Sequence, residues 1–148
     1  MSGLRRPESI LLLVHTDDLE VLLLKRIAPF EFWQSITGSL DPGEVPRDAA
    51  ARELLEETGI DAADALIDAG QARTFTIDPR WLDRYPEGVT QNVEHEWRLC
   101  LPSADPVVID PGEHSAFRWC PIDEAIDAVW SWTNREALEA LRDERSRR

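Results

Sequence analysis

Apolar and polar positions fall along this chain in blocks that predict a mixed α/β fold. Residues 9–14, Ser-Ile-Leu-Leu-Leu-Val, are almost wholly apolar, the pattern of a strand covered on both faces. Asp17-Asp18 marks a turn, and residues 20–26 return as a second strand. Residues 29–33 read as a loop, and 35–40 as a short strand running into the turn signal Asp41-Pro42-Gly43. Pro46 suits the first position of a helix and Gly59 the left-handed position after its last turn. Inside that helix Ala49, Ala50, Leu54 and Leu55 are expected in the core. Strands are predicted over 72–77, 93–101 and 116–120, with a long loop over 78–90 that holds two prolines and a glycine. Residues 121–130 and 134–145 read as helices, the second capped by Thr133 or Asn134, and 142–148 as a frayed polar tail.

The helix closed by Gly59 carries the candidate chemistry. Glu53, Glu56 and Glu57 stand at i, i+3 and i+4, so a helix places three carboxylates on one side. Crowded like charges cost free energy unless a cation lies between them. A hard divalent ion such as Mg²⁺ fits, since it takes oxygen ligands and keeps positions for water and phosphates.

The whole segment 38–60 has a distinctive spacing. Gly38 is followed after five residues by Glu44, and after seven more by Arg52-Glu53-Leu54-Leu55-Glu56-Glu57-Thr58-Gly59-Ile60. That pattern resembles the signature box of the Nudix hydrolases. The resemblance implies one domain over 1–148, a Nudix-type α/β/α sandwich with a mixed β-sheet, and the box as strand–loop–helix. It implies a metal-dependent enzyme, using Mg²⁺ with Mn²⁺ as a substitute, that cleaves a phosphoanhydride. Glu53 and Glu57, one turn apart, lead as metal ligands; Glu56 is a third ligand or organises the attacking water. Glu44 holds the loop or an outer metal position, and Arg52 orients a catalytic glutamate. Backbone at Gly38 can approach phosphates closely. An acidic group from outside the box is also expected, with Glu113 as the candidate ligand or general base and Glu94 and Glu96 as rivals. His95 and His114 read as structural or surface residues.

Composition narrows the partners. A net charge of −13 over 148 residues argues against nucleic-acid and anionic-membrane binding, and leaves a small-molecule polyphosphate as the expected partner. Only Cys100 and Cys120 are present, too few for a disulfide framework, and both read as buried thiols. The apolar run 10–14 is too short for a signal segment or a membrane span, so a cytoplasmic location is expected.

Segments outside the box speak to the substrate. Arg6-Pro7 before Ser9-Ile10, Phe32–Ser39 (FWQSITGS), Arg84-Tyr85 with Gly88-Val89-Thr90 and Asn92, Glu113-His114, and Ser131-Trp132-Thr133-Asn134-Arg135 resemble the Nudix branch that serves folate synthesis. This implies hydrolysis of dihydroneopterin triphosphate to the monophosphate and pyrophosphate. Arg5, Arg26, Thr37 and Ser131 are then the expected substrate contacts, with part of 78–81, including Arg80 and Trp81, over the ligand. Aromatic faces stack on flat heterocycles, and of the six tryptophans Trp33, Trp81 and Trp132 are candidates, while Trp97, Trp119 and Trp130 read as core. Gln34, Asn92 and Asn134 could read ring edges. Other (deoxy)nucleoside triphosphates, oxidised ones included, dinucleoside polyphosphates, and a nucleotide-sensing module without catalysis are the competing readings.

Overall fold

The computed structural model describes residues 3–147. Seven strands and three helices follow in the order β1 (Glu8–Thr16), β2 (Glu20–Arg26), β3 (Phe32–Gln34), β4 (Ile36–Ser39), α1 (Pro46–Thr58), β5 (Ile67–Thr76), β6 (Gln91–Leu101), β7 (His114–Pro121), α2 (Ile122–Ala128) and α3 (Trp132–Ser146).

β1 is the spine. Its apolar run is buried on both faces because helices cover both sides of the sheet. Ile10, Leu12 and Val14 pack with Leu22, Leu24, Leu99 and, from α1, Ala49, Ala50 and Leu54. Leu11 and Leu13 point the other way, onto Ala125 of α2 and Ala137 and Leu138 of α3. The result is an α/β/α sandwich around a mixed sheet of order β3-β2-β1-β6-β5, with β4 on β1 and β7 on β2. β1 and β6 run parallel, from Glu8 opposite Val93 to Thr16 opposite Leu101; the remaining strand pairs are antiparallel. No helix among the described residues is long and apolar enough to cross a membrane.

Several elements differ from the sequence reading. Residues 32 and 33, expected in a loop over 29–33, belong instead to the short strand β3, which pairs with β2. β5 begins at Ile67 rather than 72; its first residues are exposed at the sheet edge and carry no apolar alternation. The long loop contains a 3₁₀ turn over Pro79–Arg84, started by the Asp78 carboxylate accepting from the Arg80 N–H. α3 has Ser131 at its N-cap position, not Thr133 or Asn134, and continues to Ser146, so most of the expected tail is helical. Cys120 is buried, but Cys100, next to last in β6, is exposed.

In α1 the buried positions are Ala49, Ala50, Glu53, Leu54, Glu57 and Thr58. They recur at four-residue spacing, the stripe a helix buries. Leu55 lies one position off that stripe and is 52% exposed, contrary to the expected core role. The same stripe carries two carboxylates inward. Gly59 closes the helix at φ 76°, donating its N–H to Leu55 O at 2.9 Å.

Candidate active site

β4 ends at Ser39, the chain turns through residues 41–44, and α1 leads back under the sheet. Arg52 ties these three pieces together. Its Nε and Nη2 donate to the two Glu44 oxygens at 2.9 Å each, Nη2 also to Ser39 O at 3.0 Å, and Nη1 to Glu53 Oε1 at 2.8 Å. Nη1 reaches Glu56 Oε2 at 3.4 Å. Glu44 in turn accepts from the Asp41 N–H at 2.9 Å. This fork-to-fork pairing holds the Glu44 carboxyl below its usual range, the Arg52 hydrogen bond being the main cause. It also keeps the loop in register with the helix.

Glu53 has the opposite electrostatics. Burial pushes its carboxyl up to about 7, against the pull of Arg52 and with the help of Glu56 and Glu57. It lies against Gly38, where any Cβ would run into the Glu53 side chain; the glycine is required there by contact, not by backbone angle. Glu57 is 5% exposed. Its Oε2 approaches His114 Nδ1 to 2.6 Å, out of line for a hydrogen bond, so neither atom is satisfied by the protein. His114 Nε2 meets Gln34 Nε2 at 3.1 Å, and Gln34 Oε1 accepts from Thr37 Oγ1 at 3.3 Å. Glu113, directly before His114, is exposed at the same end.

These groups open on a cavity of about 890 Å³. Its lining brings together Glu53, Glu56, Glu57, Arg52, Gly38, Thr37 and Glu113 at the box end with Arg5 and Arg26. Desolvation draws the Arg26 guanidinium below its ordinary pKa, partly offset by Glu113. Ser131 and Trp81 also line it, the Trp81 ring centre 5.9 Å from the Arg26 guanidinium. Three expected residues lie off the lining. Glu44 is on the Arg52 side of the loop. Trp33 packs on the core beneath α2 and α3, with the Arg118 guanidinium 5.7 Å from its ring centre. Arg80 folds back onto Asp78 at 2.9 Å and over Phe30 at 3.8 Å.

Trp130, read as core, is 43% exposed and lines the cavity. α2 stops at Ala128, and the backbone N–H of Trp130 donates to Trp33 O at 3.3 Å. It joins Trp81, Phe30 and Phe32 in an aromatic cluster with ring centres 4.7–5.9 Å apart. Trp97 is buried as expected, and Trp119 packs partly buried against the α1-side core. The contact of His114 with Glu57 had no signal in the sequence, since it depends on the pairing of β7 with β2.

The family model for the NUDIX domain matches residues 5–141. The chain belongs to the Nudix family. Among its relatives is the dihydroneopterin triphosphate diphosphatase of Escherichia coli K12, 39% identical over 139 residues that cover 91% of each chain. The enzyme of that name from Haemophilus influenzae is 33% identical over 94% of this chain and 89% of its own. The solved structure of the E. coli dihydroneopterin triphosphate pyrophosphohydrolase superposes with a TM-score of 0.87 at 38% identity, covering 93% of this chain and 95% of that one. Nudix hydrolases generally use divalent metals. Among the described residues no three metal-binding side chains converge as they stand; Arg52 holds Glu53 and Glu56. The residues nevertheless suit such an ion. Glu57 Oε2 is a buried oxygen with no donor, and Glu53 is a desolvated carboxylate on the same stripe.

Proposed function

We propose that this chain hydrolyses dihydroneopterin triphosphate to dihydroneopterin monophosphate and pyrophosphate. The observation that carries this reading is one cavity whose lining holds the box carboxylates, Arg5 and Arg26, and the rings of Trp81 and Trp130, with the Arg26 guanidinium 5.9 Å from the Trp81 ring centre. A triphosphate attached to a flat ring needs both kinds of group, cations and metal-binding carboxylates for the phosphates and aromatic faces for the ring. The relatives that match nearly the whole chain bear the name of that activity.

Mg²⁺ held by Glu53 and Glu57 would neutralise phosphate charge and acidify a bound water. The protein's own groups do the rest. Glu56 is exposed beside that pair and serves as third ligand or as the group that organises water. Glu113 supplies the acid from outside the box. Its rivals are placed differently: Glu96 is 1% exposed and paired with Arg73 at 2.7 Å and Arg98 at 2.9 Å, and Glu94 is buried against Thr133 of α3 rather than against α1. Arg52 and Glu44 position Glu53 and the loop. Arg5 and Arg26 face the phosphates, Gly38 lets backbone come close to them, Thr37 and Ser131 contact substrate, and Trp81 covers the ring. The enzyme works as a cytoplasmic, single-domain protein on a small molecule.

Specificity constants measured side by side with Mg²⁺ test the substrate. Dihydroneopterin triphosphate should exceed dATP and 8-oxo-dGTP by at least about tenfold, about 1.4 kcal/mol of transition-state binding. A preference for either nucleotide would move the assignment to a nucleotide-directed Nudix enzyme. Glu57→Gln should abolish metal-dependent turnover while the fold persists.

A further inference from the structure

The cavity lining holds two buried acceptors that nothing among the described residues satisfies. Glu94 is 6% exposed and Asn92 1%. They stand two residues apart on β6, so both side chains leave the same face of the sheet, and both line the cavity. Asn92 Nδ2 donates to Ser9 Oγ at 2.8 Å, which leaves Asn92 Oδ1 without a donor. One Glu94 oxygen takes the Thr133 hydroxyl, which makes Ser131 Oγ the donor to Thr133 Oγ1 at 2.8 Å. The other, Oε1, has no partner. Buried polar atoms left unpaired are rare and costly. Here two of them belong to residues that line one cavity, on one face of β6.

We propose that Glu94, with Asn92 beside it, is the specificity-determining site for the ring, accepting hydrogen bonds from a 2-amino-4-oxopyrimidine edge. That edge presents an amino N–H next to a ring N–H, two parallel donors that a carboxylate accepts together. Pterins and guanine carry it. Adenine does not: its amino donor stands beside a ring acceptor, which would face a carboxylate oxygen. Glu94 and Asn92 therefore choose the ring, while the box cuts the anhydride. Burial pushes the Glu94 carboxyl up to about 7, with Thr133 pulling the other way; the amino and ring N–H donors together favour the ionised form and draw its proton off. This inference names the recognition element of the proposed function, yet it depends only on the ring edge, which guanine shares.

The test uses rings without phosphate, so it needs no metal and no turnover. Quenching of tryptophan fluorescence reads binding of 7,8-dihydroneopterin, guanosine and adenosine to the full chain. Wild type should bind the first two more tightly than adenosine. Glu94→Gln, which turns one acceptor into a donor at constant shape, should weaken dihydroneopterin and guanosine by about tenfold to a hundredfold and erase their advantage. Glu94→Asp keeps the carboxylate on a shorter arm; it should weaken binding yet keep the order of preference, an outcome that a purely structural role does not produce. With dihydroneopterin triphosphate, the Glu94→Gln loss should fall on KM more than on kcat. An unchanged preference in a folded Glu94→Gln protein would overturn the inference and mean that solvent satisfies the two acceptors. If wild type fails to turn over dihydroneopterin triphosphate but keeps the Glu94-dependent preference for guanosine, the proposed function falls and this inference stands.

Discussion

Glu53 should make the metal-free protein less stable as pH rises, and Glu53→Gln should remove that weakness. The carboxyl titrates near 4.5 when unfolded and is pushed up to about 7 in the fold, chiefly by burial. Between those values the folded chain holds a proton that the unfolded chain has released, so stability falls as pH climbs through the window. Below about 4.5 both states are protonated and the penalty vanishes. From the two values the penalty is about 1 kcal/mol at pH 5, about 2 at pH 6 and about 3 at pH 8. Glutamine imitates the protonated acid in shape, and Arg52 keeps its two bonds to Glu44. Urea unfolding in chelator should then show Glu53→Gln gaining about 3 kcal/mol over wild type at pH 8, with little difference at pH 4.5. Added Mg²⁺ should raise the stability of wild type more than that of the variant. A pH-independent gap between the two proteins, or a variant less stable at pH 8, would refute the burial argument.

Other perturbations separate scaffold from site. Leu54→Ala removes a fully buried side chain beneath the sheet and should cost about 3 kcal/mol in urea unfolding. Gly59→Ala has room, since Val108 Cβ lies 3.5 Å from the added atom, so the loss should be the backbone term alone, about 1 kcal/mol. Glu113→Gln should lower turnover by about a hundredfold with unfolding unchanged; Glu96→Gln, between Arg73 and Arg98, should do the reverse, and steady-state rates beside denaturation curves distinguish them.

Local signals made much of this fold readable. The run 10–14 identifies a strand buried on both faces, and Pro46 and Gly59 mark the ends of α1 because each satisfies a backbone need at its own position. The box is readable for a related reason: its glycine and acids are set by one loop and one helix. Features made by distant pairing were not readable. Leu55 looks like a core residue until the sheet decides which stripe of α1 is covered. Trp130 meets Phe30, Phe32 and Trp81, rings supplied by two distant segments, only in the folded chain. Glu57 meets His114 because β7 pairs with β2, with Arg26 opposite His114. Glu94 reads in the sequence as a rival to Glu113, and only the folded sheet reveals it lining the cavity with a buried carboxyl oxygen that has no donor among the described residues.

The central claim is hydrolysis of a phosphoanhydride in dihydroneopterin triphosphate by the box. Purified chain, Mg²⁺ and that substrate should yield pyrophosphate and dihydroneopterin monophosphate in equal amounts, with no product in chelator or with Glu57→Gln. Stepwise release of orthophosphate, or no cleavage while a nucleotide is consumed under the same conditions, would contradict it.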